Sequence, residues 1–66
     1  MLKDKLKERR EKLGYTQDML AQKTGLTQQA IAGYETGVRK PNTDILAALA
    51  DVLECSTDYL LGRSEQ

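Results

Sequence analysis

The chain has 66 residues, ten Lys plus Arg against ten Asp plus Glu, no His and one Cys. A chain of this length buries only about 60% of the surface that its unfolded form exposes, which leaves little apolar material to enclose a substrate. The missing His excludes serine-histidine and cysteine-histidine nucleophiles and histidine-bound metals, and a single Cys can form neither an internal disulfide nor a zinc cluster. We therefore expect one domain over residues 1–66, with no catalytic residue, no metal site and no cofactor.

The cysteine usage and the hydropathy also indicate a cellular location. A lone thiol is typical of a reducing compartment. The sequence contains neither a secretory apolar segment nor an apolar run of the length that a membrane-spanning helix needs. We expect a cytoplasmic protein without a membrane role.

The neutral total charge conceals an uneven distribution. Residues 1–40 carry nine Lys or Arg against five Asp or Glu, a net charge of +4, whereas residues 41–66 carry a net charge of −4. Most of the lysines near the N-terminus are expected on a solvated helix face. Arg39 and Lys40 are more informative, because the following Pro41 restricts the backbone and stiffens this basic loop. A stiff basic loop suits contact with phosphate groups.

Apolar residues recur with helical spacing, and no stretch alternates long enough to predict a strand, so the pattern predicts an all-α chain. Thr, Asn and Ser residues that can cap free amides precede the predicted helices, and Gly residues that can adopt left-handed backbone end most of them. The predicted helices cover residues 2–13, 17–24 and 28–36, a fourth helix after Asn42 and a short fifth after Ser56, with stops at Gly14, Gly25, Gly37 and Gly62.

The stretch from residue 17 to residue 36 has the organisation of a helix-turn-helix unit. Ala21 is small where two crossing helices must approach each other, Gly25 lies in the turn, and Ile31 can anchor the second helix. A plain helical hairpin shares this spacing. It has no reason, however, to place two long amides, Gln28 and Gln29, at the exposed start of its second helix.

Four sequence stretches between Leu2 and Leu61 carry a resemblance to a known family. They are L-K-E-R-R-E-K-L-G-Y-T-Q (residues 6–17), L-A-Q-K-T-G-L-T-Q-Q-A-I (20–31), Y-E-T-G-V-R-K-P (34–41) and S-T-D-Y-L-L-G (56–62). Together they resemble the Cro/C1-type helix-turn-helix domains of the lambdoid phage repressors and Cro proteins. The resemblance implies a compact five-helix, lambda-repressor-like fold and a repressor that binds double-stranded DNA.

The resemblance also implies which residues read bases. The helix over residues 28–36 corresponds to the recognition helix of this family, the one that lies in the major groove. A Gln at its start can bind adenine N6 and N7 together, and Gln28 is the leading candidate. Gln29 is a second reader, and Thr27 or Ala30 can offer a methyl group to thymine. Gly33 departs from a relative that carries a further long amide there, so we expect that contact to be missing.

Other residues are expected to position the domain on DNA or to stabilise it. Gln17 is placed to hold a phosphate through its backbone amide and side chain. Arg10 and Glu35 are expected to form a structural ion pair. The expected phosphate contacts are Gln17, Thr36, Arg39, Lys40 and Arg10.

One recognition helix contacts few base pairs, so we expect a homodimer on a palindromic operator. Two alternatives stay open at this point, a dimer that forms in solution and a dimer that forms only on DNA. By the resemblance, the contact between subunits uses Cys55, Ser56, Thr57, Asp58 and Tyr59. Glu54 is a second departure, because many relatives have Gly where the fourth helix ends.

The main alternative is a helical protein-interaction module, or an antitoxin-like partner, with weak DNA binding. The zero net charge and the acidic C-terminal part favour it. Dependence of binding on salt separates the two readings, because binding through phosphates weakens steeply as salt rises.

Overall fold

The computed structural model describes residues 2–63, and these residues form five α-helices joined by short connections. The helices are α1 (Leu2–Lys12), α2 (Gln17–Thr24), α3 (Gln28–Thr36), α4 (Thr43–Val52) and α5 (Thr57–Leu60). Residues 2–63 contain no strand, and the predicted all-α, five-helix architecture is confirmed. Within this range, no helix combines the length and the apolar character required to cross a membrane.

Helices α2 to α5 are each preceded by a residue whose side chain caps the first turn. In every case a side-chain oxygen accepts a hydrogen bond from a backbone amide three residues further on, at 2.8 to 3.1 Å. The caps are Thr16, Thr27, Asn42 and Ser56. Each such cap stabilises its helix by about 0.5–2 kcal/mol, which matters for helices this short.

Helices α1 and α2 end at glycines in left-handed backbone, with φ of 76° at Gly14 and 74° at Gly25. The turn after α2 is closed by the amide of Leu26, which donates to the Ala21 carbonyl at 2.9 Å. The side chain of Leu26 is half-buried and packs against the core. This turn sets the direction in which the chain enters α3.

The end of α4 has the same kind of turn with Glu54 in place of glycine, at a φ of 58°. The amide of Cys55 donates to the Ala50 carbonyl at 3.0 Å and closes the turn. Arg9 of α1 donates from Nε to the Leu53 carbonyl at 2.8 Å and from Nη2 to the Glu54 carbonyl at 3.2 Å. A cation from α1 therefore stabilises the C-terminal end of α4, where the helix dipole favours positive charge.

Every helix contributes to one hydrophobic core. Six large side chains are completely removed from solvent, namely Leu6, Leu20, Ile31, Leu49, Leu53 and Leu60. Each contributes about 1.5–3 kcal/mol through burial. Ala21, Ala30, Ala50 and Tyr34 complete the core, and the small alanines allow the helices to approach closely.

Helices α2 and α3 pack against each other, and α3 also packs against α1. These contacts bury Ile31 and Tyr34 on one side of α3. They leave the first turn of α3, with Gln28 and Gln29, exposed to solvent. The fold therefore packs one side of α3 against α1 and α2 and leaves its first turn accessible to a partner.

Candidate nucleic-acid interface

Two glutamines lie at the exposed start of α3. Gln28 and Gln29 follow the capping residue Thr27, whose Oγ1 accepts from the Ala30 amide at 3.1 Å and fixes the backbone of the first turn. Each glutamine amide carries two N–H donors and one carbonyl acceptor. This end of α3 can therefore donate and accept hydrogen bonds at the same time.

Behind this surface lies a buried ion pair between α1 and α3. Arg10 donates from Nε to Glu35 Oε2 at 2.6 Å and from Nη2 to Glu35 Oε1 at 3.0 Å. The Arg10 and Glu35 side chains are only 10% and 3% exposed, respectively. The hydrogen bond to Glu35 raises the pKa of Arg10, although burial opposes it, so the guanidinium stays charged. The structure thus contains the ion pair that the family resemblance implied.

The ion pair continues to the surface through two glutamines. Gln17 Nε2 donates to Glu35 Oε1 at 3.1 Å, and Gln28 Nε2 donates to Gln17 Oε1 at 2.6 Å. We call Arg10, Glu35, Gln17 and Gln28 the amide relay. It joins a charge in the interior to the side chain at the front of α3.

The direction of the hydrogen bonds in the relay follows from its charged end. The Glu35 carboxylate can only accept, so Gln17 must turn its NH₂ group inward and its carbonyl outward. That carbonyl in turn requires an N–H donor from Gln28. The ion pair therefore orients the Gln28 amide, with its Oε1 left for a partner outside the relay.

The structure corrects two sequence predictions. The Arg10 guanidinium donates to Glu35 and to the Tyr15 carbonyl through all three of its nitrogens, so it does not serve as a phosphate contact. Ala30 is only 6% exposed and belongs to the core, so its methyl group does not face a thymine. Arg10 was predicted both to pair with Glu35 and to contact a phosphate, and its donors are used in the first of these roles. Ala30 follows the exposed Gln28 and Gln29 in sequence, but its position on α3 turns it toward the core.

Gln17 differs in part from its predicted role. Both polar atoms of its side chain are engaged by Glu35 and Gln28, so the side chain is committed to the amide relay. Its backbone amide belongs to the first residue of α2, where amides have no partner within the helix. The backbone, rather than the side chain, remains suited to an anion.

The opposite end of α3 leads into an exposed basic loop. Thr36, Arg39 and Lys40 are all exposed. Thr36 Oγ1 donates to the Gly33 carbonyl at 3.2 Å. The guanidinium carbon of Arg39 lies 5.8 Å from the centre of the Tyr34 ring. The loop therefore carries two cationic side chains next to α3, and one of them lies against the helix.

The segment predicted to join two subunits runs from the end of α4 into α5. Cys55 and Tyr59 are half-buried against the core, and Lys5 Nζ lies 5.1 Å from the centre of the Tyr59 ring. Ser56 caps α5, Thr57 is half-buried and Asp58 is exposed. Burial raises the pKa of the Cys55 thiol, and the nearby Arg9 only partly offsets this effect.

Comparison with known proteins shows which family the chain belongs to. The helix-turn-helix family profile matches residues 6–60. The chain is a helix-turn-helix domain of the Cro/C1 type. The helix-turn-helix domain is 44% identical over 61 residues to the HTH-type transcriptional regulator ImmR of Bacillus subtilis, an alignment that covers 92% of this chain and 48% of ImmR. The chain spans about half the length of the curated relatives it matches.

Solved structures show the same architecture. The P22 c2 repressor protein, in complex with a synthetic operator, matches the helix-turn-helix domain with a TM-score of 0.91 and 34% identity, over 97% of each chain. The regulator SinR, in complex with DNA, matches with a TM-score of 0.87 and 27% identity, over 92% of this chain and 98% of that one. These relatives are transcriptional regulators and repressors, a class of non-enzymatic proteins.

Sequence reasoning missed the amide relay in this helix-turn-helix domain. Gln17 and Gln28 are eleven residues apart and lie on different helices, so no periodic pattern connects them. A signal was nevertheless present, because each is the first residue of its helix. Where the two helices of this motif cross, polar side chains at both N-terminal ends are candidates for contact.

Proposed function

We propose that this helix-turn-helix domain binds double-stranded DNA at a specific sequence and represses transcription by occupying an operator. The amide relay is the observation that carries the proposal. It holds a bifunctional amide at the exposed start of α3 and sets the direction of its hydrogen bonds. Side chains that are oriented before binding lose less conformational entropy on contact, which favours recognition over ordinary solvation.

Gln28 is suited to adenine in the major groove. One hydrogen of its Nε2 is used by Gln17, and the second can donate to adenine N7. Its Oε1 can at the same time accept from adenine N6. A bidentate contact of this kind discriminates against the wrong base by about 1–3 kcal/mol.

Gln29 and Thr27 extend the reading surface. Both are exposed beside Gln28. Gln29 can donate to the acceptors of guanine or meet a neighbouring base, and the Thr27 methyl group can contact a thymine while its hydroxyl caps α3. We assign sequence preference to these three residues.

Phosphate contacts position α3 in the groove. The Gln17 backbone amide lies at the positive end of the α2 dipole, which favours an anion. Thr36 ends α3 and Lys40 lies in the loop that follows it, and both are exposed. Contacts on both sides fix the register of the domain on the duplex and carry no sequence information.

The relatives support this function and its setting. Two solved relatives were determined as complexes with DNA, one of them a repressor on an operator. A dimer places two recognition helices about 34 Å apart, one turn of DNA, on a palindromic operator. We assign the contact between subunits to residues 55–59, and the protein to the compartment that holds the DNA, which is the cytoplasm in a bacterium.

Selection of duplexes from a random pool tests the proposal. The wild-type chain should enrich a palindrome, and Gln28→Ala should lose the preference for adenine at one base pair of each half-site. Gln22→Ala is the matched control, because Gln22 is an exposed glutamine on α2 that bonds only to Asp18 among the contacts of the described residues. This control should leave every preference unchanged.

A salt titration separates DNA binding from the alternative of a protein-interaction module. The logarithm of the binding constant should fall linearly with the logarithm of salt concentration, with a slope of about −0.9 for each phosphate contact. The zero net charge of the chain makes this a sharp test, because the dependence must then arise from local contacts. A binding constant that does not change with salt concentration, or a pool that yields no enriched sequence, would refute the proposed function.

A further inference from the structure

The exposed face of α3 has a gap one turn beyond Gln29. Residues four apart on a helix lie on the same face, so Gly33 follows Gln29 along the surface that carries the base readers. Glycine provides no side chain there. Any group that fills this part of the surface must come from another element.

Arg39 fills the gap. A Cβ built on Gly33 would lie 2.7 Å from Arg39 Cδ and 2.9 Å from Arg39 Cγ, distances too short for real atoms. The side chain of Arg39 therefore crosses α3 directly over the Gly33 backbone. The closeness leaves room for no other residue type at position 33 while Arg39 lies there.

Two further contacts hold Arg39 in this position. Its backbone amide donates to the Gly33 carbonyl at 3.1 Å, which fixes the start of the side chain. Its guanidinium carbon lies 5.8 Å from the centre of the Tyr34 ring, at a distance typical of a cation–π interaction. Tyr34 is part of the core, so the Arg39 side chain is supported from beneath.

We infer that Arg39 is a fourth base-reading residue and that Gly33 creates the space for it. The inference rests on the proposed function. A loop arginine whose stem lies on the recognition helix approaches the groove in line with Gln29, whereas a phosphate contact needs no such support. The planar guanidinium can donate two parallel hydrogen bonds to O6 and N7 of guanine, the commonest specific contact in the major groove. Arg39 was predicted from sequence to contact a phosphate, and the packing over Gly33 assigns it this different role.

The test compares the base preferences of four proteins selected from one random pool. These are the wild type, Arg39→Ala, Gly33→Ala and the double variant. Arg39→Ala should lose a guanine preference of about 5- to 140-fold at one base pair of each half-site. All other preferences should remain.

Gly33→Ala gives the decisive comparison, because it keeps the arginine and its charge. The new Cβ displaces the Arg39 stem, so the same base pair should lose its guanine preference. The double variant should be no worse than Arg39→Ala. Alanine is the stronger helix former, so Gly33→Ala should unfold at the same or a higher temperature, which excludes loss of the fold as the cause.

Lys40→Ala serves as the control for a phosphate contact. It should weaken all duplexes alike and reduce the salt slope by about one. The same uniform loss in Arg39→Ala would overturn the inference, and so would unchanged preferences in Gly33→Ala. Both of those results leave the proposed function intact, because the wild type still enriches an operator. A wild type that enriches no sequence would overturn both.

Discussion

At the scale of single residues, Glu35 connects stability to recognition. One of its oxygens accepts from both Arg10 and Gln17, so the same carboxylate neutralises a buried cation and orients the path to Gln28. A residue in two such roles cannot be changed without affecting both.

Removal of Arg10 alone should be costly. Arg10→Met leaves the Glu35 carboxylate buried without its cation, and the free energy of unfolding should fall by about 3–5 kcal/mol. Replacement of both partners by Met and Leu should restore much of that loss, because neither charge is then buried. Urea denaturation of the three proteins measures this. A single variant that loses less than about 1 kcal/mol, the range of a surface ion pair, would show that the pair is not buried in solution.

The Cys55 thiol should be slow to ionise in the folded chain. Burial raises its pKa, because the charged thiolate loses its solvation. Between the unfolded and the folded pKa, only the unfolded chain has lost the proton, so this residue lowers the free energy of unfolding as pH rises through that window.

The rate of alkylation by iodoacetamide, measured against pH, checks this for Cys55. The midpoint of the native profile should lie at higher pH than the midpoint in urea. Arg9→Met should move the native midpoint higher still, because Arg9 lowers the thiol pKa. A native midpoint equal to or below the value in urea contradicts the prediction.

At the scale of the helices, local sequence predicted most of the boundaries. The four caps and the glycine stops need only a few neighbouring residues, and so they could be identified from the sequence. The left-handed backbone of Glu54 lies where the family resemblance placed a Gly. The support of α4 by Arg9 was not predicted, because it joins residues 44 apart and depends on how α1 packs.

Glu54 is a point where α4 can be improved. Its φ of 58° is unfavourable for a residue with a Cβ, so Glu54→Gly should raise the free energy of unfolding by about 1 kcal/mol. Glu54→Ala keeps the strain and removes the charge, which makes it the matched control, and it should give no such gain. Both variants keep the carbonyl that Arg9 contacts. Thermal denaturation that ranks Glu54→Ala above Glu54→Gly would show that charge, and not backbone strain, is the limiting factor.

At the scale of the whole molecule, the fold brings side chains from separate helices together on one surface. The core could be anticipated from the helical spacing of Leu and Ile, and the exposure of Gln28 and Gln29 from the motif. The arrangement of the polar side chains could not. The amide relay joins residues from α1, α2 and α3, and the position of Arg39 depends on the absence of a side chain at Gly33.

The two parts of the chain that differ in charge also differ in their proposed roles. Residues 1–40 carry a net +4 and contain the proposed DNA contacts, whereas the acidic part, residues 41–66, contains the proposed contact between subunits. These 66 residues have no net charge to attract DNA, so we expect their affinity to come from the few cations beside α3. Base contacts then carry a large share of the discrimination between operator and other DNA.

The central claim is that the amide relay presents Gln28 to an adenine edge. Replacement of that adenine by 7-deazaadenine in the selected duplex removes the N7 acceptor and leaves base pairing intact. Wild-type affinity, measured at one salt concentration, should fall by about tenfold, since one hydrogen bond of this kind is worth about 1–1.5 kcal/mol, and Gln28→Ala should be insensitive to the replacement. A wild-type protein that binds both duplexes equally well would contradict the claim.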